Sequence, residues 1–263
     1  MLSINVDNVY VEFPIYDHYS RSLRHTLGLG KIAQGLNRFA TRKLNVGGQI
    51  GQDRKGKVVI KALDGISFTA NEGDRIALLG HNGSGKTTLL RVIAGIYEPV
   101  SGDVTTNGRV IPLFNLQLGM DHDATGLENI WLRGKMLDLT TAQIKATLED
   151  VVEFTELGDY LYMPIRTYSQ GMLVRLAFGI STAIAPDILI LDEMIGAGDA
   201  TFLDRANQRL RSFISQTGIL VIASHSNDVL RKWCNKGMLL EHGKMLAFGD
   251  LEDVIELYDA KRG

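Results

Sequence analysis

With 263 residues, 45% of them hydrophobic and 22% charged, the chain can bury one large α/β core, and five prolines with no repeat or low-complexity tract speak against disorder. Its single cysteine, Cys234, excludes an internal disulfide and reads as a buried thiol in a reducing compartment, and no apolar run approaches the roughly 18 residues that a membrane span takes. A net charge of −2 gives no footprint for nucleic acid, and the N-terminus lacks the basic start and apolar stretch of a secretory signal, so a cytoplasmic protein is expected.

Residues 2–15 place Ile4, Val6, Val9, Val11 and Phe13 in near alternation, which predicts a strand. From His18 to Lys57 the character changes: nine basic residues (Arg21, Arg24, Lys31, Arg38, Arg42, Lys43, Arg54, Lys55, Lys57) stand against one acid, Asp53. Leu23 and Leu27, then Ile32, Leu36 and Phe39, have helical spacing, so the segment reads either as short amphipathic helices with a basic face or as a solvated loop. Val58–Ile60 and Ile66–Phe68 are predicted strands, bounded by turn residues at Asp64-Gly65 and Asn71-Glu72-Gly73.

The next strand, Arg75–Leu79, runs into Gly80-His81-Asn82-Gly83-Ser84-Gly85-Lys86-Thr87, which matches G-x-x-x-x-G-K-[ST]. The glycines let backbone N–H groups wrap an anion, Lys86 brings a point charge to the β- and γ-phosphates, and the Thr87 hydroxyl can ligate Mg²⁺. Thr88 adjoins this set. A helix over Thr87–Ala94, stopped by Gly95, would point its positive end at the phosphates. The expected ligand is ATP or GTP.

Strands at Gly102–Val104 and Val110–Leu113 are followed by a helical stretch from Leu127 to about Tyr160. In it Thr140 and Gln143 form a capping-box pattern ahead of Ile144, Leu148, Val151 and Val152 on one face. This predicts a helical subdomain inserted into a sheet domain. Thr167-Tyr168-Ser169-Gln170-Gly171-Met172 opens another helix, with Leu173, Leu176, Ala177, Ile180 and Ile184 on one face; Ser169 reads either as a plain N-cap or, with Gly171, as an anion site.

Ile188–Leu191 is an apolar strand that ends in Asp192-Glu193. A carboxylate at that sheet edge can hold Mg²⁺ through water, and Glu193 can orient the water that attacks the γ-phosphate, which points to hydrolysis. Ile219–Ala223 leads in the same way to Ser224-His225, where His225 can bridge the γ-phosphate and the catalytic carboxylate. A strand at Met238–Leu240 and a helix over Leu251–Tyr258 follow, and no appended domain is expected.

The phosphate loop, Tyr-Ser-Gln-Gly-Met, Ile-Leu-Ile-Leu-Asp-Glu, Gly196-Ala-Gly-Asp199 and Ser224-His225, in that order, resemble the nucleotide-binding subunit of an ABC transporter, strongly from Leu63 to His225. The resemblance implies an α/β P-loop NTPase sheet domain of ABC type with an inserted helical subdomain, in one ATPase domain over residues 1–263. Residues 1–16 and 58–115 would form the sheet core, 17–57 the basic insertion, 118–185 the helical subdomain with the signature, and 186–263 the remainder. It also implies that Ser169 and Gly171 bind the γ-phosphate held by a partner subunit, so that a homodimer encloses two ATP with Mg²⁺, the loop ending in Asp199 crossing the interface. By the same resemblance Phe13 or Tyr16 would stack on adenine, and Gln117 or Asn115 would touch Mg²⁺ and couple to a permease.

A narrower likeness rests on Tyr168-Ser-Gln-Gly-Met-Leu-Val-Arg-Leu-Ala-Phe-Gly179, Thr125-Gly-Leu-Glu-Asn-Ile130 and Glu12-Phe-Pro-Ile-Tyr16. It is to ATPases that export O-antigen, teichoic acid, capsule or galactan as lipid-linked polysaccharide through a separate permease. That implies a peripheral position on the cytoplasmic face of the membrane, two permease copies, and a basic insertion near anionic headgroups or the substrate's pyrophosphate. An importer or drug-exporter ATPase stays open as an alternative. A soluble ABC ATPase working on DNA or ribosomes fits less well, because only 83 residues separate Lys86 from Ser169 and leave no space for a coiled-coil insertion.

Overall fold

The computed structural model describes residues 1–14, 49–52, 58–114, 116–117, 119–137, 139–192 and 200–261. Tyr16, the helices expected between Leu23 and Phe39, Asn115, Glu193 and Asp199 lie outside the described residues. In chain order the elements begin with β1 (Ser3–Pro14), β2 (Gln49–Gln52), β3 (Val58–Asn71), β4 (Arg75–Leu79), α1 (Lys86–Ile93), β5 (Ser101–Asn107) and β6 (Val110–Pro112). Helices α2 (Gly126–Met136), α3 (Thr141–Thr155) and α4 (Gln170–Thr182) follow. The chain then alternates through β7 (Ile188–Asp192), α5 (Ala200–Ser215), β8 (Ile219–Ala223), α6 (Asn227–Trp233), β9 (Lys236–Glu241), β10 (Lys244–Asp250) and α7 (Leu251–Ala260).

Two sheets result. One is antiparallel in the order β2-β3-β1-β5; the other runs β10-β9-β4-β8-β7-β6, parallel throughout except for β10 at its edge. The turn expected at Asp64-Gly65 is a bulge inside a continuous β3. Pairing with β1 steps from Val9↔Ile66 to Tyr10↔Asp64, so Gly65 is left over at φ 74, and the strand bends there without ending.

The parallel strands are apolar on both faces because both are covered. Ile76, Leu78, Ile188, Ile190 and Val221 join a core with β1, β3 and α1, whereas Ala77, Leu79, Leu189, Leu191 and Ile222 pack with Phe202, Leu210 and Phe213 of α5 and Val254 and Ile255 of α7. Helices α2–α4 enclose a separate cluster around Ile130, Val151, Leu161, Leu176 and Ile180. The expected capping box of Thr140 with Gln143 opens α3, and a second, of Thr125 with Glu128, opens α2. The backbone bond from Thr125 holds the exposed Glu128 carboxyl below its ordinary range. Cys234 is partly buried after α6, and that burial pushes its thiol up to about 12, which suits an inert side chain.

Arginines of α5 tie this helical layer to the sheet. The Arg209 guanidinium donates to both carboxylate oxygens of Asp150 on α3, and through Nε to Thr182 Oγ1 on α4 at 2.7 Å, while lying 4.4 Å from the Phe154 ring centre. Arg205 donates to the Phe154 carbonyl at 2.9 Å. Replacing Arg209 by Ala removes hydrogen bonds to a charged group and is expected to lower unfolding free energy by about 1.5–3 kcal/mol. Arg209→Met, which keeps the stem over Phe154, should lose less, and urea unfolding followed by circular dichroism measures both.

Candidate functional site

Strands β4, β7 and β8 are parallel neighbours, so their carboxyl ends share one edge of the sheet. The residues that follow them, from Gly80, at Asp192 and at Ser224-His225, therefore converge, as expected for a ligand crevice in an open parallel sheet. A cleft of about 590 Å³ opens there, walled by the phosphate-loop residues Asn82, Gly83, Gly85 and Lys86, by Thr87 and Thr88 of α1, and by Asp192 and His225. Phe13 closes one side, and Ala62, Ala223 and Ser224 complete the wall.

The loop is held by main chain on main chain. A Cβ at Gly85, where φ is 111, would stand 2.8 Å from the Ala62 carbonyl oxygen, and one at Gly80 would stand 2.3 Å from that of Leu240. Only glycine lets the backbone pass so close. Gly243, in the tight turn between β9 and β10, donates its N–H to the Ser84 carbonyl at 2.9 Å, and the neighbouring His242 ring lies 4.9 Å from that of His81. Gly85 starts α1 without a side-chain cap, which leaves the first-turn N–H groups for an anion. Lys86 Nζ donates to the carbonyls of Gly80 at 2.6 Å and His81 at 3.1 Å, so its charge is held across the loop's mouth.

These residues fit a magnesium-nucleotide. The cradle admits no Cβ, Ser84 Oγ is buried with no hydrogen-bond partner, and the Thr87 hydroxyl and Asp192 carboxylate offer the hard oxygen donors that Mg²⁺ takes beside phosphate. Gly80, His81 and Ser84 back the loop, whereas Asn82, Gly83, Gly85, Lys86, Thr87 and Thr88 face the cleft.

The other expected residues are distributed differently. Gln117 lies in the turn before α2, its carbonyl accepting from Met120 N at 3.1 Å, and is not among the residues that line the cleft. Ser169 is the N-cap of α4, its Oγ accepting from Met172 N at 3.3 Å. Gly171 is exposed, and a Cβ there would meet only Ser169 Oγ at 3.9 Å, so packing within the chain does not demand glycine. Tyr168 anchors this corner: it is 7% exposed, its hydroxyl donates to the Tyr160 carbonyl at 2.5 Å, and burial raises its pKa. Ala62 and the His242-Gly243 turn were not anticipated. A small residue inside a strand carries no signal, but a glycine just beyond the apolar Met238–Leu240 run does.

The family model described as ABC transporter matches residues 63–196, from within β3 to just past β7. The chain belongs to the ABC transporter family. ATP is accordingly the nucleotide of the cleft and its hydrolysis the reaction. Among relatives, the O-antigen export system ATP-binding protein RfbE of Yersinia enterocolitica is 42% identical over 92% of this chain and 96% of its own length. The O-antigen export system ATP-binding protein RfbB of Klebsiella pneumoniae is 34% identical over 97% and 96%, and the teichoic acids export ATP-binding protein TagH of Staphylococcus epidermidis 32% over 98% and 89%. The solved structure of an ATP-binding subunit of an ABC transporter superposes with a TM-score of 0.65 at 17% identity, covering 97% of this chain and 93% of that one, which confirms the fold.

Gly85→Ala places a Cβ against Ala62 in a strained backbone, and is expected to weaken ATP binding by the ABC subunit at least about tenfold. Gly73→Ala carries similar strain at φ 90 with nothing within 4 Å, and should leave ATP affinity unchanged. Equilibrium binding of ATP to both variants tests the difference.

Proposed function

We propose that this chain is the ATP-hydrolysing subunit of an ABC transporter that powers export of a lipid-linked polysaccharide across the cytoplasmic membrane. The observation that carries the cargo is the similarity, over nearly the whole chain, to ATP-binding proteins of O-antigen and teichoic acid export. The signature variant beginning at Tyr168 agrees with it. In this proposal the transport path belongs to separate permease subunits, in two copies, with this chain bound peripherally on the cytoplasmic side; no helix among the described residues is long and apolar enough to cross a membrane.

In this reading the loop N–H groups and Lys86 hold the β- and γ-phosphates, Thr87 and Asp192 hold Mg²⁺, and Phe13 stacks on adenine. Held there, Mg²⁺ would supply neutralisation of the phosphate charge. Glu193 orients the attacking water, and His225, on the cleft wall, holds the γ-phosphate side of that arrangement. Ser169 and Gly171, which lie away from their own chain's cleft, complete the site of a second copy, with Asp199 at the interface, so two ATP are enclosed by a homodimer. Gln117 or Asn115 links the nucleotide to the permease. The basic stretch between His18 and Lys57 faces anionic headgroups or the pyrophosphate of the cargo.

Glu193→Gln is expected to keep ATP bound, trap the dimer and abolish turnover; turnover at the normal rate would remove Glu193 from its role. Cargo is tested in cells whose only copy carries Lys86→Ala. Lipid-linked polysaccharide should accumulate inside and disappear from the surface, as read by glycan labelling. Unchanged pools with the protein still at the membrane would leave an ABC ATPase with a different cargo.

A further inference from the structure

The Phe13 ring lies beside the cleft near the end of β1 and is 37% exposed, so its value as a stacking surface depends on what stops it from turning. Behind it stands Tyr97. The two rings meet edge to face, with centres 5.5 Å apart at 72°. Tyr97 is itself held twice by Arg91, whose guanidinium carbon lies 5.4 Å from the ring centre and whose Nη1 donates to the tyrosine oxygen at 2.8 Å.

The chain that carries Tyr97 is equally fixed. Helix α1 ends in a Schellman motif: Gly95 sits at φ 70, Gly95 N donates to the Val92 carbonyl at 3.0 Å, and Ile96 N donates to that of Arg91 at 2.8 Å. Beyond it, Val100 N donates to the Tyr10 carbonyl at 2.8 Å, which pins the segment to β1 three residues before Phe13. Helix α1 therefore carries the phosphate-binding residues at its start and the support of the Phe13 ring at its end.

We infer that Tyr97, clamped by Arg91, is a positioning residue that holds Phe13 as the platform for the nucleotide base, so that the spacing between base and phosphates is set along α1. This rests on the reading of Phe13 given above. A platform of this kind offers a ring face and no hydrogen-bonding edge, so it raises affinity for ATP and GTP alike.

The test compares Mg-ATP with inorganic tripolyphosphate, which has phosphates but no base, on the full chain and its variants. Phe13→Ala should weaken ATP binding about 5- to 150-fold, the range for loss of one base–aromatic stack. Tyr97→Ala should weaken it about 2- to 10-fold, the range for one lost aromatic pair. The double variant should bind no worse than Phe13→Ala, and tripolyphosphate affinity should not move. Tyr97→Phe and Arg91→Met, which keep the ring or the stem, should fall between wild type and Tyr97→Ala, and they decide the matter if Tyr97→Ala does not fold. Equal loss of tripolyphosphate binding, multiplied effects in the double variant, or a neutral Tyr97 series beside a weakened Phe13→Ala would overturn the positioning role. ATP affinity undiminished by Phe13→Ala would instead remove the platform itself.

Discussion

The contact on which the rest of the site depends is backbone against backbone. Residues 80–85 pass within touching distance of the main chain of Ala62 on β3 and Leu240 on β9, and Gly243 hydrogen-bonds to Ser84 from the next turn. The nearest atoms at Gly80 and Gly85 are main-chain carbonyl oxygens, which no rotamer change can move aside. Its shape is set by strands of two different sheets, β3 and β9, and by the turn that follows β9. That rigidity matters for an anion site, because N–H groups aimed in advance cost little reorganisation when a phosphate arrives. It also explains why the parallel order of β4, β8 and β7 is the decisive feature of the fold: the same edge that receives the loop receives Asp192 and His225.

The helical layer is joined to this rigid body differently. Its own apolar cluster makes α2–α4 a packed unit, and the arginines of α5 fasten it by charge-assisted hydrogen bonds and ring stacking. Ile144, Phe154 and Phe178 of the same layer also join the apolar core under the sheet, where the Phe154 and Phe178 rings meet Phe202 of α5. The joint therefore combines a few directional bonds with shared apolar packing.

Much of this was legible in local pattern. The phosphate loop carries its own chemistry, the strand ending in Asp192 and the one leading to His225 are short apolar runs with polar ends, and the capping box of α3 forms where its pattern stands. Asp64-Gly65 misled because turn residues also make bulges, and pairing with β1 on both sides carried the strand through. Strand β10 and helix α5 did have signals: a His-Gly turn with both φ positive, and a stripe of Phe202, Ala206, Leu210 and Phe213 at helical spacing. The arginine joint and the Tyr97–Phe13 contact had none, since each links segments far apart in the chain whose residues look ordinary where they stand.

Gly171 is the residue whose explanation lies furthest from its own surroundings. At Gly80 and Gly85 a side chain would strike the protein itself, whereas at Gly171 it would meet almost nothing. The N-cap at Ser169 also explains the serine locally, yet it does not explain the glycine two positions on. A small exposed residue at a helix start, with first-turn N–H groups beside it, is what close approach of an anion from outside requires. The chain's own nucleotide cleft lies elsewhere. In the proposed homodimer, a second copy presenting its ATP to this surface would account for both residues at once, and would do so for each copy in turn, the self-complementary arrangement of a two-fold dimer.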